Sequence, residues 1–95
     1  MNKDVLHAEI CKKLNATYIA KNKDYGDSFA KVRKEFPNSV LIRLADKFER
    51  LKQLMGGAEA QVKDESIEDT LLDMANYCIM EVIERQVDKE AKHDH

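Results

Sequence analysis

Asp69 and Asp73 stand four residues apart and Asn76 lies three further on, so at about 100° per residue all three share one narrow stripe of a helix. Glu65, four before Asp69, extends the stripe if the helix starts early enough. Carboxylates spaced this way can hold a hard cation such as Mg²⁺, which keeps several waters and takes one or two carboxylates together with substrate phosphates. Arg43, Asp46, Lys47, Glu49 and Arg50 form a second mixed group within two turns. Asp46 and Glu49 are neighbours on a helix surface, and Arg43, Lys47 and Arg50 supply the positive charge that phosphoryl oxygens need. Acids from two helices are a usual way for a bundle to line a cation site with oxygen. The mixture suits a metal-bridged polyphosphate.

Plainer readings compete at every position. Asp69, Asp73 and Asn76 could be a solvated edge at a helix start, where acids also favour the helix dipole. Asp46 and Glu49 with Lys47 and Arg50 could be surface ion pairs worth little, and Tyr25 could be a lid on the core. His7 and Cys11, four apart, read as a packing pair because no second ligand pair accompanies them. His93 and His95 belong to a charged tail.

These residues must be positioned by helices. Leu6, Ile10, Leu14 and Thr17/Tyr18 recur at steps of three and four and predict an amphipathic helix from residue 3 to about 22. Asn22, Asp24, Gly26 and Asp27 then form a turn, with Asp27 or Ser28 capping a short helix through Phe36. Pro37 punctuates, and Asn38 or Ser39 caps a helix over Val40 to Met55 with Leu41, Leu44, Phe48, Leu51 and Met55 as its core stripe. On that reference Asp46 and Glu49 project to the opposite side, and they reach Asp69 and Asp73 only if the helix is offset or a second subunit packs over it. Gly56 is expected to end this helix in the left-handed conformation, and a polar connection runs from Ala58 to Asp64. Ser66, with Asp69 three later, opens the longest helix, which runs to about Ala91 with the tail fraying from about residue 88. Ile67, Leu71, Met74, Cys78 and Val82 make one apolar face of it, widened by Leu72, Ala75, Ile79 and Ile83, which predicts deep packing.

Composition agrees with one small all-α domain over residues 1–95: three long helices and one short one in a bundle. Of the 95 residues 36% are charged, with three glycines and one proline, the usage of a helical protein. A chain this short hides a modest share of its surface, and oligomerisation would help it. Sixteen Lys and Arg against eighteen Asp and Glu give a formal charge of −2, which disfavours duplex nucleic acid as a partner. Cys11 and Cys78 lack the spacing of zinc thiolates and read as reduced core residues. No apolar run is long enough to cross a bilayer and the first residues lack a signal-peptide core, so a cytoplasmic location is expected, the host's cytoplasm if the protein is phage-encoded.

Three blocks taken together, Lys-Asp24-Tyr25-Gly26-Asp-Ser28-Phe29, Arg43-Leu-Ala-Asp46-Lys47-Phe-Glu-Arg50-Leu and Asp64-Glu65-Ser-Ile-Glu-Asp69-Thr-Leu-Leu-Asp73-Met-Ala-Asn76-Tyr77, resemble the nucleotide-modification-associated domain of phages and bacteria over about residues 5 to 85. That domain is more distantly similar to the MazG-like all-α nucleoside triphosphate pyrophosphohydrolases, which are oligomeric and Mg²⁺-dependent and carry an E-x-x-E and an E-x-x-D pair on two helices. The resemblance implies Asp46 and Glu49 for the first pair and Asp73 for the last acid of the second. Thr70 stands where the remaining acid belongs, and Asp69 is the nearest carboxylate.

The expectations are therefore Mg²⁺ held among Asp46, Glu49, Asp69 and Asp73, with Glu49 and Asp73 in catalytic roles, and nucleotide contacts from Lys21, Lys23, Tyr25, Arg43, Lys47, Arg50 and Asn76. The function expected is Mg²⁺-dependent nucleotide binding in a homo-oligomer, dimer or higher, with hydrolysis of a triphosphate to monophosphate and pyrophosphate. The alternatives are a non-catalytic protein that sequesters a signalling nucleotide, favoured by Thr70, and a helical interaction module.

Overall fold

Asn2 starts the first helix: its side-chain oxygen accepts from the backbone N–H of Asp4 at 2.9 Å and of Val5 at 3.4 Å, satisfying two of the donors that a helix start leaves open. The computed structural model describes residues 1–57 and 66–93, and these form four helices, α1 (Lys3–Tyr25), α2 (Ser28–Glu35), α3 (Ser39–Met55) and α4 (Ile67–His93), with no strand among them. The chain is all-α, three long helices and one short one. No described helix is long and apolar enough to cross a membrane. Glu65, the 58–64 connection and His95 lie outside the described residues.

Local chemistry sets the boundaries. α1 runs through Asn22 and Asp24, because the left-handed residue that ends it comes only at Gly26, with φ 59° and its N–H bonded to the Asn22 carbonyl. Asp27 follows at φ 60°, so two successive left-handed residues turn the chain into α2. Asp27 occupies the cap position of α2, but its side chain makes no capping bond. Ser66 does cap α4, accepting from the Asp69 N–H at 3.0 Å. At the end of α3 the expected roles are exchanged: Gly56 has φ −80° and Gly57 takes φ 88°. Gly56 is still constrained, since a Cβ there would lie 2.9 Å from the Lys52 carbonyl oxygen. α4 continues to His93, and Asp88 within it accepts from Arg33 at 2.9 Å.

α3 against α4 is the main packing interface, and α1 lies more lightly on α4. α3 is rotated from the face its apolar pattern suggests. Val40, Arg43, Leu44, Lys47, Leu51 and Leu54 are the half-buried positions, whereas Leu41, Phe48 and Met55 are more than half exposed. On α4 the residues Leu71, Cys78, Ile79 and Val82 are open to solvent, although Met74, Leu72, Ala75 and Ile83 are partly covered. Cys11 and Cys78 are free and exposed, not core residues, and Cys11 lies 3.7 Å from His7 Nδ1. Among the described residues the buried apolar ones are Leu14 and Phe29.

A charged strap fixes α2 to α4. Arg33 donates to both oxygens of Glu81 at 3.0 and 3.1 Å and to Asp88 at 2.9 Å, while Arg85 donates to Glu81 at 2.9 Å. Paired, fork-shaped contacts of this kind are the strong class of ion pair. Arg33 donation holds the Glu81 carboxyl below the usual carboxylate range, with a smaller contribution from Arg85 and with burial opposing both. A carboxyl whose folded value is depressed contributes fully above its unfolded value, near pH 4.3, and loses that contribution as pH falls through the folded value. Glu81→Gln is expected to cost about 2 kcal/mol at neutral pH and to flatten the loss of stability below about pH 4, as read from melting temperature against pH.

Candidate functional site

Tyr18, Lys21, Asn22 and Tyr25 recur at three- and four-residue steps on α1, and Asp73, Asn76, Tyr77 and Met80 do the same on α4. Each set therefore occupies one helix face. The two faces meet over Ser28 and Phe29 of α2 and line a shallow, open cleft of about 80 Å³, smaller than the usual small-molecule site.

One wall is aromatic. Phe29 is 4% exposed, and its ring lies 6.5 Å from that of Tyr77 at an interplanar angle of 16°. Arg43 reaches across from α3 and sets its guanidinium over both rings, 5.4 Å from Phe29 and 5.6 Å from Tyr77. A cation over partly desolvated rings is attracted by their quadrupoles, so this contact locks α2, α3 and α4 together behind the cleft. Tyr25, 66% exposed, stands at the rim with its aromatic ring open to solvent.

The other feature is a charge junction of three helices. Asp73 of α4 places Oδ2 3.1 Å from Lys47 Nζ of α3 and Oδ1 3.6 Å from Lys21 Nζ of α1. The Lys47 side chain is 17% exposed and Asp73 29%, so each charge offsets the desolvation of the other. Lys21, 60% exposed, is the looser, screened member. Asn76 closes the junction from behind by donating its side-chain amide to the Leu14 carbonyl at 3.2 Å.

The predicted site residues are thus divided by the fold. Lys21, Tyr25, Asp73 and Asn76 line the cleft; Lys47 and Arg43 support it from α3. Lys23, Arg50, Asp46 and Asp69 are exposed, and Glu49 is exposed and paired with Lys52 at 2.7 Å. Among the described residues no three His, Cys, Asp or Glu side chains are grouped to hold a metal ion, so one chain does not by itself present the four-acid set. Sequence reasoning did not assign Tyr18, Asn22, Phe29, Tyr77 and Met80 to the site. The signal was there for Tyr18 and Asn22, which share the i, i+3, i+4, i+7 spacing of Lys21 and Tyr25.

A family model described as nucleotide modification associated domain 1 matches residues 21–84, a stretch holding every cleft residue but Tyr18. No curated protein and no solved structure matches the chain.

Thr70, one turn before Asp73, is fully buried, and its hydroxyl donates to the Ser66 carbonyl at 3.0 Å. An acid at this position would be a buried carboxylate facing packing atoms. Thr70→Glu is therefore expected to lower unfolding free energy by at least about 3 kcal/mol, and Thr70→Val by about 1 kcal/mol, both measured by chemical denaturation.

Proposed function

The chain belongs to the nucleotide modification associated domain 1 family, and from that premise we propose that the cleft between α1, α2 and α4 binds a nucleotide. The observation that carries this reading is the pairing, in one cleft, of aromatic side chains with the Lys21 ammonium, which Lys47 backs through Asp73. The base lies against the exposed ring of Tyr25, where stacking is tolerant of base identity, with the Phe29/Tyr77 pair forming the apolar backing of the cleft. The phosphates point toward Lys21 and Lys47. Mg²⁺ enters this reading as a companion of the phosphates, which carry part of its coordination themselves.

Binding without turnover is the form the geometry favours. A pyrophosphohydrolase with Glu49 and Asp73 in catalytic roles needs a second acid near Asp73, and the place for it is taken by the buried Thr70. Sequestration of a nucleotide asks only for the cleft. Two exposed free cysteines are compatible with a reducing, cytoplasmic setting.

The protein acts as a homo-oligomer. Its radius of gyration is 15.6 Å, against about 12 Å for a compact domain of this length, and Leu41, Phe48 and Met55 of α3 and Leu71 and Val82 of α4 are left open.

Calorimetric titration of a nucleoside triphosphate panel with Mg²⁺ is expected to give saturable binding, weakened by about 1–3 kcal/mol in Tyr25→Ala, with no pyrophosphate released. Release of pyrophosphate would make it a hydrolase, and no binding across the panel would leave a helical interaction module. Sedimentation equilibrium is expected to show a dimer or larger, shifted toward monomer by Leu71→Glu/Val82→Glu; a monomeric wild type would remove the assembly from this account.

A further inference from the structure

Asp73 is held in a way unlike that of a waiting metal ligand. Its two carboxylate oxygens serve different partners, Oδ2 toward Lys47 and Oδ1 toward Lys21, and the two lysines come from separate helices. A carboxylate bridging two ammonium groups is the arrangement that a terminal phosphoryl group makes with the same pair. Two positive charges against one negative leave the junction one unit positive at the end of the cleft. We propose that Asp73 is the built-in occupant of an anion subsite: its carboxylate fills, in the free protein, the place between Lys21 and Lys47 that a phosphoryl group of the ligand takes on binding. This rests on the nucleotide reading above and adds to it what the lysines do before the ligand arrives.

The physical reason for such an occupant is the burial of Lys47. An ammonium 17% exposed needs a negative partner whether or not ligand is present. Asp73 supplies that partner on a short side chain whose χ1 can pass to another staggered well, toward the open stripe shared with exposed Asp69. A phosphoryl group of charge near −2 satisfies both lysines better than a carboxylate of −1, so the exchange favours phosphorylated ligands over carboxylic acids of similar size. Asp73 thereby sets specificity by competing with the ligand and lowers affinity for every weak anion.

The test is titration of inorganic pyrophosphate, without Mg²⁺ and with a chelator, into wild type and Asp73→Asn, beside a nucleoside triphosphate titration of the wild type. Removal of the competing charge is expected to tighten pyrophosphate binding at least about fivefold, or 1 kcal/mol at RT ln 5, and Lys47→Met is expected to abolish it. Unchanged or weaker binding to Asp73→Asn, with wild type still binding the triphosphate, overturns the proposal and leaves the nucleotide reading standing. No binding of either compound to any of these proteins overturns both. A readout free of substitutions accompanies these: the side-chain carboxyl ¹³C resonance of Asp73 in wild type is expected to shift as pyrophosphate is added, and a resonance that stays fixed while pyrophosphate binds overturns the exchange.

Discussion

The Lys47–Asp73 ion pair is the constraint around which the other parts of the cleft are arranged. It joins α3 to α4 at 3.1 Å in a half-buried setting, and Lys21 brings α1 to the same carboxylate. An ammonium and a carboxylate at such depth hold each other in place, because either alone meets the full cost of desolvation. To make this pair, α3 must present Lys47 inward, and Arg43, four residues earlier, then turns inward with it. Arg43 consequently lands over Phe29 and Tyr77. The charge junction and the aromatic wall are two results of one rotation of α3.

That rotation explains what could be read from the sequence and what could not. Helix positions were legible because they depend on local chemistry: Ser66 as cap, Pro37 as break, and the step of three and four through Leu6, Ile10 and Leu14. Helix faces were less so. Leu41, Leu44, Phe48, Leu51 and Met55 form a regular apolar stripe, and a stripe of that kind is read as core because apolar burial usually outweighs everything else. Here Leu41, Phe48 and Met55 look outward while Lys47 and Arg43 look in. A pattern in one chain does not say whether its apolar face meets the same chain or another.

The cleft shows the same division. Asp73 and Asn76 were recognisable as members of one stripe, and both face the cavity. Their partners were hidden, since Lys21 is 52 residues away in the chain from Asp73 and nothing in spacing announces a contact between helices. Phe29 and Tyr77, 48 residues apart, carry no spacing that pairs them, and only the fold stacks them. The glycines gave a smaller lesson of this kind: with Gly56 and Gly57 adjacent, composition located the helix end but not which residue carries the positive φ.

The light attachment of α1 has a consequence for the order of events in the chain. α3 and α4 pack extensively, whereas α1 is attached chiefly through Leu14, the Asn76 amide on the Leu14 carbonyl and the outer ion pair of Lys21. Partial opening therefore starts with α1, and its backbone amides exchange with solvent sooner than those of α4. The cleft is then the first feature to come apart, and any molecule seated in it would slow hydrogen exchange most along the helix that holds least by itself.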